Sequence, residues 1–334
     1  MSQPAQQTIA VLDKNWKSFF KAIKDWKKHP GKYLGRPKLP GYKPKDGRFP
    51  WYIKNNSCRV RDGELQFVIK RLSGVKFPVR TDGRLIGVRF VPKGTCYVME
   101  VVFEVEVPDA PTSEPQRIAG IDLGINNLVT MVNNIGEQPI IVNGKKVKAI
   151  NQFYNKQKAA MQSDLKKRNG KHWSKKLDEL SFKRYQRIKS LMHVTSRRIV
   201  DWCVKNNVDT LVCGLNKEWK QETNLGKSGN QKFVSIPFDM LIKQLEYKCQ
   251  NVGIRFITTE ESYTSGTSFL DGEAPCKENY DKNRRKKRGL FQASTVLINA
   301  DVNGACQIIK KVSPNAFGYG VGVAGLQPTV INAA

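Results

Sequence analysis

A chain of 334 residues with 57 Lys+Arg against 29 Asp+Glu carries a formal charge of +28 and a pI near 9.9. It is long enough to bury a sizeable core in two or more domains, and the cation excess points to a polyanionic partner, because each neutralised phosphate releases condensed counterions. No uninterrupted apolar run reaches the ~18 residues of a membrane span, and the N-terminus MSQPAQQTIAVLDKNW has no signal-peptide pattern, so a membrane protein is not expected.

Residues 6–28 carry Ile9, Leu12, Trp16, Phe19, Phe20, Ile23 and Trp26 at helical spacing, which predicts an amphipathic helix with a core-facing stripe. His29-Pro30-Gly31 ends it. Residues 29–50 are dense in Pro, Gly, Lys and Arg and read as a linker; Tyr33, Arg36, Lys38, Tyr42 and Lys43 are interleaved there as a nucleic-acid backbone and base-stacking surface would have them. Residues 51–107 alternate in β fashion, punctuated by Asp62-Gly63, Asp82-Gly83 and Lys93-Gly94, and a small barrel is the economical arrangement.

Pro108 to Pro115 links to an α/β region. Apolar runs at 118–122, 128–133 and 139–142 predict strands. Residues 144–206 predict a strongly basic helical hairpin broken at Asn169-Gly170, with Arg184, Arg187, Arg197 and Arg198 among its cations. Few carboxylates balance them, so this is an expected nucleic-acid surface. His193 within the hairpin is expected to pack or to contact phosphate. Asp209 to Leu215 reads as a buried strand, 216–237 as a polar loop, 238–252 as a helix and 253–259 as a strand. Strand, helix and strand in that order make a parallel crossover. The run at 281–289 is the densest basic cluster; it reads as a phosphate clamp formed by Arg284, Arg285, Lys286, Lys287 and Arg288, or as a localisation-like stretch.

Two short stretches carry the chemistry. Gly120-Ile121-Asp122-Leu123-Gly124 puts a carboxylate at the end of a buried strand, where it packs poorly but can hold a metal. Asn299-Ala300-Asp301-Val302-Asn303-Gly304-Ala305 opens a helix whose Val302, Ala305, Ile308, Ile309 and Val312 recur at helical spacing; Asp301 is placed as an N-cap, as a metal ligand, or as both.

These paired motifs resemble the first and third RuvC motifs of the transposon-encoded TnpB proteins, RNA-guided DNA nucleases related to the type V CRISPR effectors. The resemblance runs from about Gln6 to the C-terminus. It implies an α+β multidomain chain: a helical segment and basic linker over 1–50, shorter than usual for the family, an OB-like wedge barrel over 51–110, and a RuvC, ribonuclease-H-like nuclease domain over 116–334. The last would carry the basic hairpin at 144–206 and a target-binding loop at 262–296. It further implies guide RNA and double- and single-stranded DNA as partners, two Mg²⁺ ions as cofactors, and a nucleoid-associated place in the cytoplasm. In the commoner family pattern a glutamate ends the strand that here ends in Gly214. Some members instead carry it in an E-x-Y-T-S setting, which Glu261 matches residue by residue; Glu260 points to the other strand face and is the lesser candidate. Asp122, Glu261 and Asp301 are therefore the expected catalytic metal ligands, with Asn299 and Asn303 orienting them.

Many family members carry a four-cysteine zinc ribbon. Here the seven cysteines are scattered, no C-x-x-C occurs, and only Cys276 falls in that region, so the sequence makes no case for zinc and reads as reduced core thiols. The missing ribbon, the short N-terminus and Gly214 keep open a nuclease-inactive, RNA-guided repressor. A guide-independent nuclease or transposase is the other alternative.

Overall fold

The computed structural model describes residues 3–81, 83–215, 235–287, 289–318 and 327–333. The expected polar loop at 216–237 and the turn at Asp82 lie largely or wholly outside them. The chain divides into two units, Met1–Glu106 and Val107–Ala334.

In the first unit, β1 (Trp51–Lys54), β5 (Arg84–Lys93) and β6 (Cys96–Glu104) form one antiparallel sheet, and β2 (Cys58–Arg61), β3 (Glu64–Phe67) and β4 (Lys76–Pro78) a second. Asp62 and Gly63 both take positive φ (51° and 71°), as a two-residue hairpin matched to strand twist requires. Ile53, Cys58, Leu65, Phe67 and Val88 make the small core, and Trp51 stacks on Phe90 with centroids 4.0 Å apart. Among the described residues the strands form these two sheets and no closed ring. Helix α1 (Gln3–Lys28) also departs from expectation, because none of its residues is buried and Ile9, Leu12 and Phe20 are 53%, 49% and 59% exposed. It packs chiefly along β1, a four-residue strand that cannot cover a 26-residue helix. Trp16, Phe19 and Phe20 cover one another instead.

The second unit is built on a six-stranded mixed sheet of order β11-β10-β7-β8-β9-β14, made by β7 (Ile118–Leu123), β8 (Asn127–Asn133), β9 (Ile140–Asn143), β10 (Thr210–Gly214), β11 (Arg255–Thr259) and β14 (Thr329–Asn332). β7, β8 and β9 pair antiparallel, while β10 joins β7 and β11 in parallel. The basic hairpin forms α2 (Lys145–Asn169) and α3 (Lys175–Lys205), with Gly170 at φ 66° closing α2. The crossover helix is α4 (Phe238–Gln250), and α5 (Ala300–Val312) follows a short hairpin, β12 (Leu290–Gln292) with β13 (Leu297–Asn299). The edge strand β14, parallel to β9, was not expected.

Strand alternation decides which side chain meets which helix. Ala119, Ile121, Leu211 and Cys213 share a core with residues of α3 and α4 such as Met192, Val200, Leu241 and Leu245. Ile118 and Val212 face the other way, onto Val302, Ala305, Ile308 and Ile309 of α5. Gly120 lies on that second face, where an added Cβ would stand 2.4 Å from Ile309 Cγ1 and 3.1 Å from the Ala305 carbonyl. Gly120→Ala is expected to cost about 2 kcal/mol by overpacking, read as a lowered urea midpoint.

None of the seven cysteines forms a disulfide, and five are buried. Among the described residues no helix is long and apolar enough to cross a membrane.

Candidate active site

Alternation puts Asp122 on the α5 face of β7, two residues beyond Gly120. An added Cβ on Gly304, one turn into α5, would stand 3.1 Å from Asp122 Oδ2, so the bare backbone of that helix seats the carboxylate. Gly214 ends β10 on the same face, paired with Thr259 of β11. Two residues beyond Thr259, Glu261 returns to this face, and its Oε2 would lie 3.0 Å from a Cβ on Gly214. Glu260 points away: its carboxylate is 62% exposed and pairs with Lys311 Nζ at 3.7 Å.

Asp301 stands in the first turn of α5 but is not its cap. The Asn299 side chain accepts the free N–H groups of Asp301 and Val302 at 3.0 and 3.1 Å, which leaves the Asp301 carboxylate to other partners. Asn127 Nδ2 donates to Asp301 Oδ2 at 2.6 Å, and Arg285 Nη2 lies 3.7 Å from Oδ1. Asn127 was missing from the sequence reading; its signal was its place at the start of β8, across the hairpin from Asp122.

Asp122, Glu261 and Asp301, drawn from three distant segments, line one cavity of about 590 Å³ with Tyr263, Tyr280 and Arg285. Burial, then the Glu261 and Asp301 charges, raise the Asp122 carboxyl well above its ordinary range, against the pull of Arg285 and the Leu123 N–H. Burial pushes Glu261 up to about 7, with Lys311 opposing. Among the described residues, no group of three or more His, Cys, Asp or Glu is arranged to hold a metal ion. The donor chemistry nonetheless fits a hard cation: carboxylates that repel one another share a pocket, and two glycines leave it open.

The wall of this cavity is stapled from outside. Asn303, Gln307 and Lys310 form one stripe of α5. Asn303, fully buried, accepts from Phe269 N at 2.9 Å and donates to the Thr267 carbonyl at 2.8 Å. Gln307 Nε2 donates to the Glu273 carbonyl at 3.1 Å, and Lys310 Nζ to the Gly272 and Glu273 carbonyls at 2.9 and 3.0 Å. Arg284 Nη1 pairs with Glu273 at 2.8 Å and reaches Asp271 at 3.8 Å. Burial alone would raise the Asp271 carboxyl; the bonds from Ser268 and Ser294 and the Arg284 charge hold it below its usual range. A double-mutant cycle of Glu273→Gln with Arg284→Met is expected to show coupling of about 1–2 kcal/mol in urea unfolding. Two members of this network are singled out by the sequence: Asn303, as a residue orienting the carboxylates, and Arg284, as part of a phosphate clamp rather than a partner of Glu273 and Asp271. The others were legible as a polar stripe on an otherwise apolar helix.

The remaining expected nucleic-acid residues divide by environment. Arg36, Lys38, Tyr42 and Lys43 are exposed, as are Arg187, Lys286 and Lys287. Tyr33 is half-buried and donates its hydroxyl to Asp25 at 2.8 Å. Arg197 pairs with Asp201 at 3.4 Å, and Arg198 donates to the Asn332 carbonyl at 2.6 Å. Arg184 donates to Asn151 Oδ1 at 2.7 Å and the Ser235 carbonyl at 2.9 Å, over the Tyr154 ring, so it braces the α2–α3 hairpin. Arg284 is engaged by the two carboxylates just described, and Arg288 lies outside the described residues. The His193 carbonyl accepts from the buried Lys248 ammonium at 2.8 Å; burial, then Lys248 and Lys189, hold the imidazole low, which suits packing.

The OrfB_IS605 family, described as "Probable transposase", matches residues 100–220, and the Cas12f1-like TNB domain matches residues 238–308. No curated protein matches the chain. Among solved structures, a Cas12f1–sgRNA–target DNA complex aligns at 18% identity and a TM-score of 0.52, over 68% of this chain and 46% of that one. A CRISPR-Cas12f ternary complex aligns at 14% identity and a TM-score of 0.45, over 84% and 66% of the two chains. This chain thus spans less than half of the Cas12f1 chain, with which it shares a mixed α+β fold. The two family matches follow one another in chain order, with the Asp122 motif inside the first and the Asp301 motif inside the second, and over those residues the chain is similar to TnpB-like proteins.

Proposed function

We propose that this chain is an RNA-guided DNA endonuclease of transposon origin that hydrolyses phosphodiesters at the cavity under Asp122, Glu261 and Asp301. The observation that carries the reading is the convergence of these three carboxylates on one cavity from β7, the end of β11 and the start of α5. The sheet order supports a RuvC, ribonuclease-H-like arrangement: three antiparallel strands, then two parallel strands added beside the first. The paired sheets of the first unit would serve as the wedge. The charge of +28 suits a guide RNA and a DNA target, double-stranded at first and single-stranded when cut.

Asp122, Glu261 and Asp301 would hold Mg²⁺, which when bound supplies a polarised water and charge for the leaving oxygen. The protein's own residues do the rest. Asn127 orients Asp301, the Asn299 cap frees it, and Gly214 and Gly304 leave room for the other two carboxylates. Arg285 places a guanidinium where a scissile phosphate would arrive, and neutralises Asp301 until then. Gly214, at the strand end where the commoner family pattern has a glutamate, favours the repressor as second reading.

The test is cleavage of a plasmid library with randomised sequence beside the target, by the chain co-expressed with RNA from its own locus. Loss of one flanking motif with the parent chain, and not with Asp301→Ala, is the expected result. Retention of every plasmid, with that motif enriched by pull-down, would establish the repressor instead.

A further inference from the structure

Tyr263 and Tyr280 take no part in holding the carboxylates, yet both line the same cavity. Their rings meet edge to face, centroids 5.8 Å apart and planes at 72°, and remain 40% and 38% exposed. That exposure, at the wall of a cavity rather than on open surface, leaves ring faces open to a flat partner.

The backbone is committed to presenting them. Tyr263 has φ 68°, a left-handed conformation that bulky side chains rarely adopt and that clusters at functional sites. It is fixed on both sides: Thr264 Oγ1 donates to the Glu261 carbonyl at 2.7 Å, and Thr267 Oγ1 to the Tyr263 carbonyl at 2.9 Å. Tyr280 lies against Gly266, where an added Cβ would be 2.4 Å from its ring. Only Ser262 separates Tyr263 from Glu261, so the first ring is tied closely to the carboxylate cluster along the chain. Arg285, five residues after Tyr280, adds a cation to the same cavity.

We propose that Tyr263 and Tyr280 form a base-stacking subsite that takes an unpaired nucleobase beside the phosphate presented to the carboxylates. The placement beside a scissile phosphate rests on the nuclease reading; the stacking itself does not. A base within a duplex has both faces covered by its neighbours, so only an unpaired strand can offer one to a tyrosine ring. Every base has such a face, so the subsite takes single strands without reading their sequence.

The experiment uses the full-length chain carrying Asp301→Asn, in EDTA, with a short single-stranded DNA containing iodouracil, whose photocrosslinks favour stacked aromatic rings. Peptide mapping is expected to find crosslinks at Tyr263 or Tyr280, and the same sequence as a duplex is expected to give none there. Tyr263→Phe keeps the crosslink, because the ring and not the hydroxyl stacks. Tyr263→Gly removes the ring and relaxes the left-handed backbone, so it is expected to resist urea at least as well as its parent while binding single strands roughly tenfold more weakly. Crosslinks only at other peptides, or equal binding by Tyr263→Gly, would overturn the proposal. Guided cleavage by the wild-type chain with no crosslink at either tyrosine would sink the subsite and spare the nuclease. A crosslink with no cleavage would do the reverse.

Discussion

Asp122→Asn is expected to lower DNA cutting by about 10³-fold or more while making the metal-free chain more stable. The two effects have one cause. The Asp122 carboxylate is half-buried at the cavity wall between β7 and α5, and desolvation together with the Glu261 and Asp301 charges drives its carboxyl well above the ordinary value of 3.8. A native state that holds a proton more tightly than the unfolded chain loses stability as pH rises past that ordinary value. Glu261 adds the same sign of change between its ordinary 4.5 and about 7. Asparagine keeps the shape and removes the charge, for a gain of about 1–3 kcal/mol at neutral pH in EDTA. The check is a thermal midpoint in EDTA beside a cleavage assay in Mg²⁺. A variant that cuts normally, or one that melts well below its parent, would show that Asp122 is structural.

Gly214→Glu is expected to unfold or inactivate the chain, although it restores the residue of the commoner family pattern. A Cβ at this position meets Ile308 Cδ1 first, at 2.5 Å, then Glu261 Oε2 at 3.0 Å and Ile308 Cγ1 at 3.1 Å. Ile308 is fully buried, so α5 has closed over the space a longer side chain would need. Overpacking and a second buried carboxylate beside Glu261 together cost about 3–5 kcal/mol. Adding Glu261→Ala removes the repulsion but not the Ile308 contact, so the double variant is expected to remain inactive and to regain only part of the stability. Urea midpoints of the three chains separate the two contributions. A Gly214→Glu, Glu261→Ala chain with parental stability and cutting would mean that the two strand ends are interchangeable and that the seat at Gly214 has no role.

Much of this arrangement was legible in the sequence where a local pattern carries it. The β run ending at Asp122, the helical spacing after Asp301 and the crossover over 209–259 each depend on periodicity. The E-x-Y-T-S match together with strand alternation also separated Glu261, which lines the cavity, from Glu260, which pairs with Lys311. What could not be read depends on distant partners. Asp301 looks like a cap until Asn299 is seen to take that place. The aromatic stripe of α1 predicts burial, but the strand beside it is too short to cover it. The basic run at 281–289 looks uniform, whereas Arg284 is spent on Glu273 and Asp271 and Arg285 faces Asp301. Charge density says that cations are present; only the fold says which have already found their counter-ions.

The most direct test of the carboxylate site is cleavage of a matched target by guide-loaded Glu261→Gln, beside the wild-type chain, with target binding measured on the same samples. The expected result is Mg²⁺-dependent cutting by wild type, undiminished binding by the variant and loss of its cutting. Undiminished cutting by Glu261→Gln would contradict the site as built here.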